Sequence, residues 1–361
     1  MEVYNFNAGP AVLPKAVMLQ AQEEFVDYHG CGYGIIEESH RAALFDEVIQ
    51  GAEANVRKLM NVGDDYDVLF LQGGASLQFA MVPMNLMVPG KKVGFCDTGE
   101  WSHKAMKEAK IQQADVEMIY DGSVEKFTKI EGIRSWKVSQ DLAYVHICSN
   151  NTIYGTEYPE YPETGDVPLV ADMSSDIMSR VVDVNKFGLI FAGAQKNIGP
   201  AGLTLVIIRK GLAERCPETV PTMLRYATHI KSKSLFNTPP TFAIYMLRLV
   251  TDWLIAQGGV PGIQKVNEEK ATKLYAYIDA SDFYRATISD LCSRSKMNVC
   301  FRLPTEDLDK QFVAFAKAAG LIGLKGHRAV GGCRASIYNA LPLAGVERLI
   351  NVMDDFKKQN A

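Results

Sequence analysis

Short apolar runs recur along the first two thirds of the chain, at residues 67–71, 92–95, 116–120, 143–147, 169–171, 189–191 and 203–208. Most are continuously apolar rather than alternating, as expected of strands covered on both faces. Helical patterns lie between them, at 43–59 and 102–110. Alternation of strand and helix implies an α/β fold whose mostly parallel sheet is covered by helices. Ligands in such sheets gather at the carboxyl ends of the strands.

The pattern changes after residue 257. Residues 241–257 carry Phe242, Tyr245, Met246, Leu249 and Trp253 at helical spacing, then meet Gly258, Gly259 and Pro261, a stop signal. Beyond it the spacing predicts a long helix from 263, a strand at 297–301, a helix at 308–319, a strand near 335–338 and a closing helix from 346. The expectation is a large domain over 15–257 and a smaller α+β domain over 258–361.

With 361 residues, 47% of them hydrophobic, the chain has material for about two cores. The net charge of −4 is spread rather than clustered, so nothing resembles the basic footprint of a nucleic-acid binder. No apolar stretch is long enough to cross a bilayer, and the first residues lack a basic segment followed by an apolar one. The expected location is cytoplasmic, with no membrane partner. Seven cysteines without a CxxC pair argue against a disulfide framework and a zinc ribbon, and six histidines show no metal-binding spacing.

Candidate chemistry sits where the apolar runs end. Asp172 closes one run, and Lys196 follows another 24 residues later. An acid and an amine at one sheet edge suit pyridoxal 5'-phosphate (PLP). That cofactor needs an amine for its Schiff base and a carboxylate to keep the pyridine nitrogen protonated. A lysine after a strand is more often simply solvated, so other residues must carry the argument too. Gly73-Gly74-Ala75-Ser76 follows a strand and opens an apparent helix, a place where free N–H groups can hold a phosphate. Trp101, in Thr98-Gly99-Glu100-Trp101-Ser102, offers a flat ring for stacking. Thr152 and Gln195 add neutral polar groups at other strand ends. His40, Arg41, His327, Arg328 and Arg334 form glycine-flanked cationic clusters suited to a substrate with several negative charges.

Taken in order, these motifs make the chain resemble the phosphoserine aminotransferases, a branch of the class V, fold-type I PLP enzymes. The matching segments run from Asn5-Phe6-Asn7-Ala8-Gly9-Pro10 through Ala171-Asp172-Met173-Ser174-Ser175-Asp176 and Gly193-Ala194-Gln195-Lys196-Asn197 to Phe236-Asn237-Thr238-Pro239-Pro240 and Ser336-Ile337-Tyr338-Asn339-Ala340. The resemblance implies that Lys196 is the Schiff-base lysine, Asp172 the partner of the pyridinium nitrogen and Trp101 the stacking residue. It implies that Ala75, Ser76, Thr152 and Gln195 contact the cofactor. Asn237 and Thr238 would reach the cofactor phosphate of a neighbouring subunit, making a homodimer with shared sites. Arg334 would grip the substrate α-carboxylate, with His40, Arg41, His327 and Arg328 at the distal anion. Residues 1–14 would be an arm packing on the small domain. The implied reaction is a double displacement between 3-phosphohydroxypyruvate with glutamate and O-phosphoserine with 2-oxoglutarate, in serine biosynthesis. 4-Phosphohydroxythreonine, from PLP synthesis, is a second candidate substrate. Some relatives carry arginine where this chain has Ser76, which leaves the dominant distal cation open. The alternatives are another class V enzyme, such as a cysteine desulfurase, and a non-catalytic α/β binding protein.

Overall fold

In the computed structural model, which describes residues 2–360, the seven apolar runs form a single sheet. Its order is Tyr66–Leu71, Thr204–Arg209, Leu189–Gly193, Leu169–Asp172, Val145–Cys148, Val93–Asp97 and Val116–Asp121. Thr204–Arg209 runs antiparallel to both its neighbours, and the remaining pairs are parallel. The chain has little choice at that strand. Only Ala194 to Leu203 separate it from Leu189–Gly193, fewer residues than a parallel crossover needs, so the connection must be a hairpin.

Both faces of this sheet are covered, which is why its strands read as unbroken apolar runs. On one face Phe45, Val48, Ala52 and Val56 of Ala43–Met60 meet Ile190, Ala192, Leu205 and Ile207, with Ile244 and Leu247 of Thr241–Ala256. On the other, Phe79, Val82 and Leu86 of Gly74–Leu86 and Ala105 and Ala109 of Glu100–Ile111 cover Leu69, Val170, Phe191 and Val206. Each large side chain so buried contributes about 1.5–3 kcal/mol. Ala43–Met60 closes on Asn61 in the left-handed conformation, φ 52°, with Arg57 and Lys58 in its last turn, a favourable end for a helix whose carboxyl terminus is partially negative.

The rest of the chain builds a separate core. Arg285–Ala286, Asn298–Arg302 and Cys333–Ser336 form an antiparallel sheet. Helices Gly259–Asp279, Glu306–Ala318 and Leu343–Asn360 pack on it through Leu274, Phe312, Leu349 and Phe356. Pro261 does not precede the first of these helices but lies inside its opening turn, where a missing N–H removes no internal bond. That helix serves both cores, with Val260 and Ile263 in the large one and Leu274 and Ile278 in the small. The amino-terminal segment also spans the two. Tyr4–Asn5 pairs with Leu321–Ile322 and Phe6 is buried in the small core, while Ala11 N donates to Gln195 O at 2.9 Å.

Parallel strands set their carboxyl ends at one edge. Leu71, Asp97, Cys148, Asp172 and Gly193 therefore end side by side.

Candidate active site

A cavity of about 470 Å³ opens at that edge, with Gly9, Trp101, Asp172 and Lys196 among its walls. Asp172 is the last residue of its strand and only 4% exposed. Its Oδ1 accepts from Ser174 N at 2.9 Å and from Ser174 Oγ at 2.6 Å, a local turn an aspartate makes with the residue two further on. Burial pushes the carboxyl above its ordinary value, while the Lys196 cation and the Ser174 bonds oppose the rise.

Lys196 sits in the hairpin between Leu189–Gly193 and Thr204–Arg209. Removal from water holds its amine below the ordinary lysine value; Asp172 pulls it up and the Arg334 cation pushes it further down. Its Nζ lies 5.6 Å from the centre of the Trp101 ring. Gly9 lets the wall approach so closely. Its φ is +138°, and a Cβ there would stand 3.3 Å from Lys196 Cγ, tight as well as strained.

Trp101 lies in the first turn of Glu100–Ile111, and its Nε1 donates to Thr152 Oγ1 at 3.1 Å. Thr152 O in turn accepts from Arg334 Nη1 at 2.7 Å. The Arg334 Nε is buried and has no partner among the described residues, which leaves a guanidinium donor for an anion in the cavity. Gly73, at φ 89°, turns the chain into Gly74–Leu86. The first-turn N–H groups of Ala75 and Ser76 have no acceptor within that helix and face the same cavity. His327 reaches the cavity from the small core. Burial, then Arg334 and Arg328, push its imidazole below the ordinary value.

Ala75, Ser76, Trp101, Thr152, Asp172, Gln195, Lys196, His327 and Arg334 are thus brought to one cavity. His40, Arg41, Asn237, Thr238 and Arg328 do not line it. Arg328 stands exposed beside a neighbouring cleft of about 720 Å³. Asn237 Nδ2 donates to the adjoining Thr238 O at 3.2 Å, and the buried Nε2 of His40 has no partner among the described residues. Reading the sequence assigned no role to Ser174 or Gly9. An aspartate followed two places later by serine is a signal for the first; a glycine ahead of Pro10 marks a turn but not its contact with Lys196.

The donor set fits PLP. A phosphate matches the free helix terminus, the flat ring matches Trp101, the ring nitrogen matches a buried carboxylate and the aldehyde matches a buried amine.

The class-V aminotransferase family model matches residues 3–349. A phosphoserine aminotransferase of Syntrophobacter fumaroxidans is 55% identical over 359 residues, 99% of each chain. One from Lysinibacillus sphaericus is 53% identical over 358 residues, 99% of this chain and 98% of the other. The solved phosphoserine aminotransferase of Bacillus circulans subsp. alkalophilus is similar with a TM-score of 0.97 and 47% identity, covering 100% of this chain and 99% of its own. The PLP-bound phosphoserine aminotransferase of Trichomonas vaginalis gives 0.90 at 36% identity, covering 98% and 100%.

Proposed function

The chain belongs to the class-V aminotransferases, and on that premise we infer that it exchanges an amino group between O-phosphoserine and 2-oxoglutarate, forming 3-phosphohydroxypyruvate and glutamate, reversibly and with PLP. Its place is serine biosynthesis. When bound, PLP supplies an electron-accepting ring that stabilises negative charge on the substrate α-carbon.

The chain's own residues then have definite tasks. Asp172 keeps the ring nitrogen protonated, and Ser174 aims Asp172. Trp101, held by Thr152, would stack on the cofactor ring, and Gln195, on the same cavity wall, would stand beside it. The N–H groups of Ala75 and Ser76 hold the phosphate. Lys196 would hold the cofactor at its aldehyde end, and its amine is the group placed to carry the proton leaving the substrate α-carbon. An amine held below its ordinary value spends more time in the neutral form this step needs. Arg334 holds the substrate α-carboxylate, with its buried Nε as one donor.

A second copy completes the site on this reading. Met18, Leu19, Phe25, Val26, Ile36 and Phe236 are large apolar residues left exposed, and Ile36 and Phe236 stand close in sequence to His40 and Asn237. Phe25 meets Phe242 edge-on at 5.7 Å, which brings the segment after Lys15–Glu24 against the helix that follows Thr238. Such a patch favours association. A homodimer pairing these segments would bring Asn237 and Thr238 to the partner's cofactor phosphate, and His40 and Arg41 to join His327 and Arg328 at the distal phosphate. Seven free cysteines suit a reducing cytoplasm. Residues 15–257 form the large cofactor domain and 258–361 the small domain, with 1–14 as an arm; two separate cores support two domains, although Val260 and Ile263 still pack in the large one.

The observation that carries the reading is a buried carboxylate and a half-buried lysine facing one cavity beside an aromatic ring. The test is a half-reaction on the holoenzyme, following cofactor absorbance with phosphoserine, glutamate, 4-phosphohydroxythreonine and alanine as donors. Phosphoserine and glutamate should convert the cofactor fast and alanine slowly; equal rates with alanine would remove the distal anion site. Mixing Lys196→Ala subunits with Asn237→Ala, Thr238→Ala subunits should restore activity through one intact site per mixed dimer.

A further inference from the structure

Lys270 is 0% exposed, sits mid-helix in Gly259–Asp279, and pairs with no carboxylate among the described residues. Its Nζ donates to Ile337 O at 2.9 Å, Tyr338 O at 2.7 Å and Leu341 O at 3.0 Å. All three acceptors belong to the short segment between the strand that carries Arg334 and the helix that ends the described chain. One turn earlier on the same helix face, Asn267 Nδ2 donates to Asn339 Oδ1 at 2.8 Å and to Ser179 O at 3.0 Å. A lysine and an asparagine three apart thus hold one stretch of chain, the lysine gripping its backbone and the asparagine the Asn339 side chain.

What that stretch touches is the reactive lysine's surroundings. Asn339 N donates to Asn197 Oδ1 at 3.1 Å, on the residue next to Lys196. Asn197 Nδ2 donates to Ser175 O at 3.1 Å, in the turn that follows Asp172. The Tyr338 hydroxyl donates to Ala8 O at 2.8 Å and accepts from Asn298 Nδ2 at 3.2 Å, and Ala8 precedes the glycine packed against Lys196 Cγ. Asn197, Asn298, Tyr338 and Asn339 are all buried. Each bond in this chain is replaceable in water but not in a dry interior, where a lost partner leaves a polar group stranded.

We propose that Lys270 is a positioning residue for the transamination site: through Tyr338 and Asn339 it sets the wall at Ala8–Gly9 and the side chain of Asn197, next to Lys196, and so fixes where the Lys196 amine points. The proposal rests on the reading of Lys196 given above. Lys270 touches neither substrate nor cofactor, and no proton passes through it. The helix is well placed for this, because its two halves are rooted in different cores. A shift of one core against the other is transmitted to Lys196 through this clamp, and reactions held in aligned geometry are sensitive to misplacements of about 1 Å.

The experiment compares Lys270→Met, Tyr338→Phe and Lys196→Ala holoenzymes. The readouts are the pH midpoint of visible cofactor absorbance, kcat and KM per bound cofactor, and melting temperature. Lys270→Met should lower kcat about tenfold or more with the phosphoserine KM within about twofold, and should displace the spectral midpoint. Tyr338→Phe, which removes one hydroxyl, should move both readouts the same way by less. Loss of melting temperature with kcat and spectral midpoint unchanged in both variants would overturn the proposal. If Lys270→Met fails to fold, Tyr338→Phe decides alone, a shift supporting the clamp and wild-type values refuting it. Lys196→Ala separates the two readings: if it keeps the wild-type spectrum, the role of Lys196 itself falls; if it loses it while the other variants stay normal, only the clamp falls.

Discussion

Lys270 and Lys196 are both withdrawn from water, and the difference between their surroundings separates scaffolding from chemistry. Burial alone would take the Lys270 amine down to about 7. Three carbonyl oxygens at 2.7 to 3.0 Å oppose this by solvating the ammonium form. Every N–H of the ammonium has an acceptor, so the group has nothing left to offer a ligand. Lys196 faces a cavity, an aromatic ring and a carboxylate that is itself pushed toward its neutral form. The site holds its charges poorly satisfied and the clamp holds its charge well satisfied. Fixed dipoles around the first are what allow a proton to move there.

The sharpest way to break the comparison is to remove the reactive amine. Lys196→Ala should cost on the order of 10⁴-fold or more in the single-turnover rate with phosphoserine, since it deletes the group that carries the proton. Its melting temperature in the cofactor-free state should stay near that of the parent, because the change removes little core volume. A mutant that turns over normally, and is still trapped by borohydride elsewhere, would move the role to another lysine.

Asp172→Asn tests the partner. A neutral amide cannot hold a ring nitrogen protonated, so the half-reaction should slow by on the order of 10²–10³-fold while cofactor binding persists. Rapid-scanning absorbance decides between this and a purely structural role.

A third buried base extends the comparison to stability. His146 is 2% exposed among Phe79, Phe95 and Phe191, and neither ring nitrogen has a partner among the described residues. Burial lowers its imidazole from 6.5 to about 3. Between those values the unfolded chain takes up a proton that the folded chain refuses, so folding weakens as pH falls through this window, by up to about 1.4 kcal/mol per pH unit. His146→Phe should therefore lose less stability than the parent between pH 6.5 and 5 in urea titrations. Identical pH slopes would show that the buried ring accepts the proton after all.

The smallest effect concerns Ser174. Ser174→Ala removes the hydroxyl bond to Asp172 Oδ1 and keeps the backbone one. Hydrogen bonds to a carboxylate favour its charged form, so Asp172 should protonate at higher pH and the acid limb of the kcat profile should move upward. An unmoved limb would assign that limb to another group.

Much of this was legible in the sequence because the physics there is local. Asp172 and Lys196 announced themselves as polar residues ending apolar runs, and the runs at 67–71 and 116–120 differ from the strands Tyr66–Leu71 and Val116–Asp121 by one residue at an end. The direction of Thr204–Arg209 was not visible in its composition, since a strand buried on both faces reads the same either way. Its short connection did carry the information. The pairing of Tyr4–Asn5 with Leu321–Ile322 and the three acceptors of Lys270 left no local mark, because backbone carbonyls have no residue type. Arg328, His40 and Asn237 could be picked out as chemistry, but one chain does not gather them at the cavity.

The hairpin that bears Lys196 has a consequence in time as well as space. Its arms, Leu189–Gly193 and Thr204–Arg209, lie well inside the sheet and are bonded on both sides. Their amide hydrogens can exchange with solvent only when the sheet itself comes apart, so they belong among the slowest in the molecule. A lysine mounted there cannot wander during local breathing of the surface. Its backbone anchors last for as long as the large core exists, and what is left for the Lys270 clamp to set is the direction of the side chain.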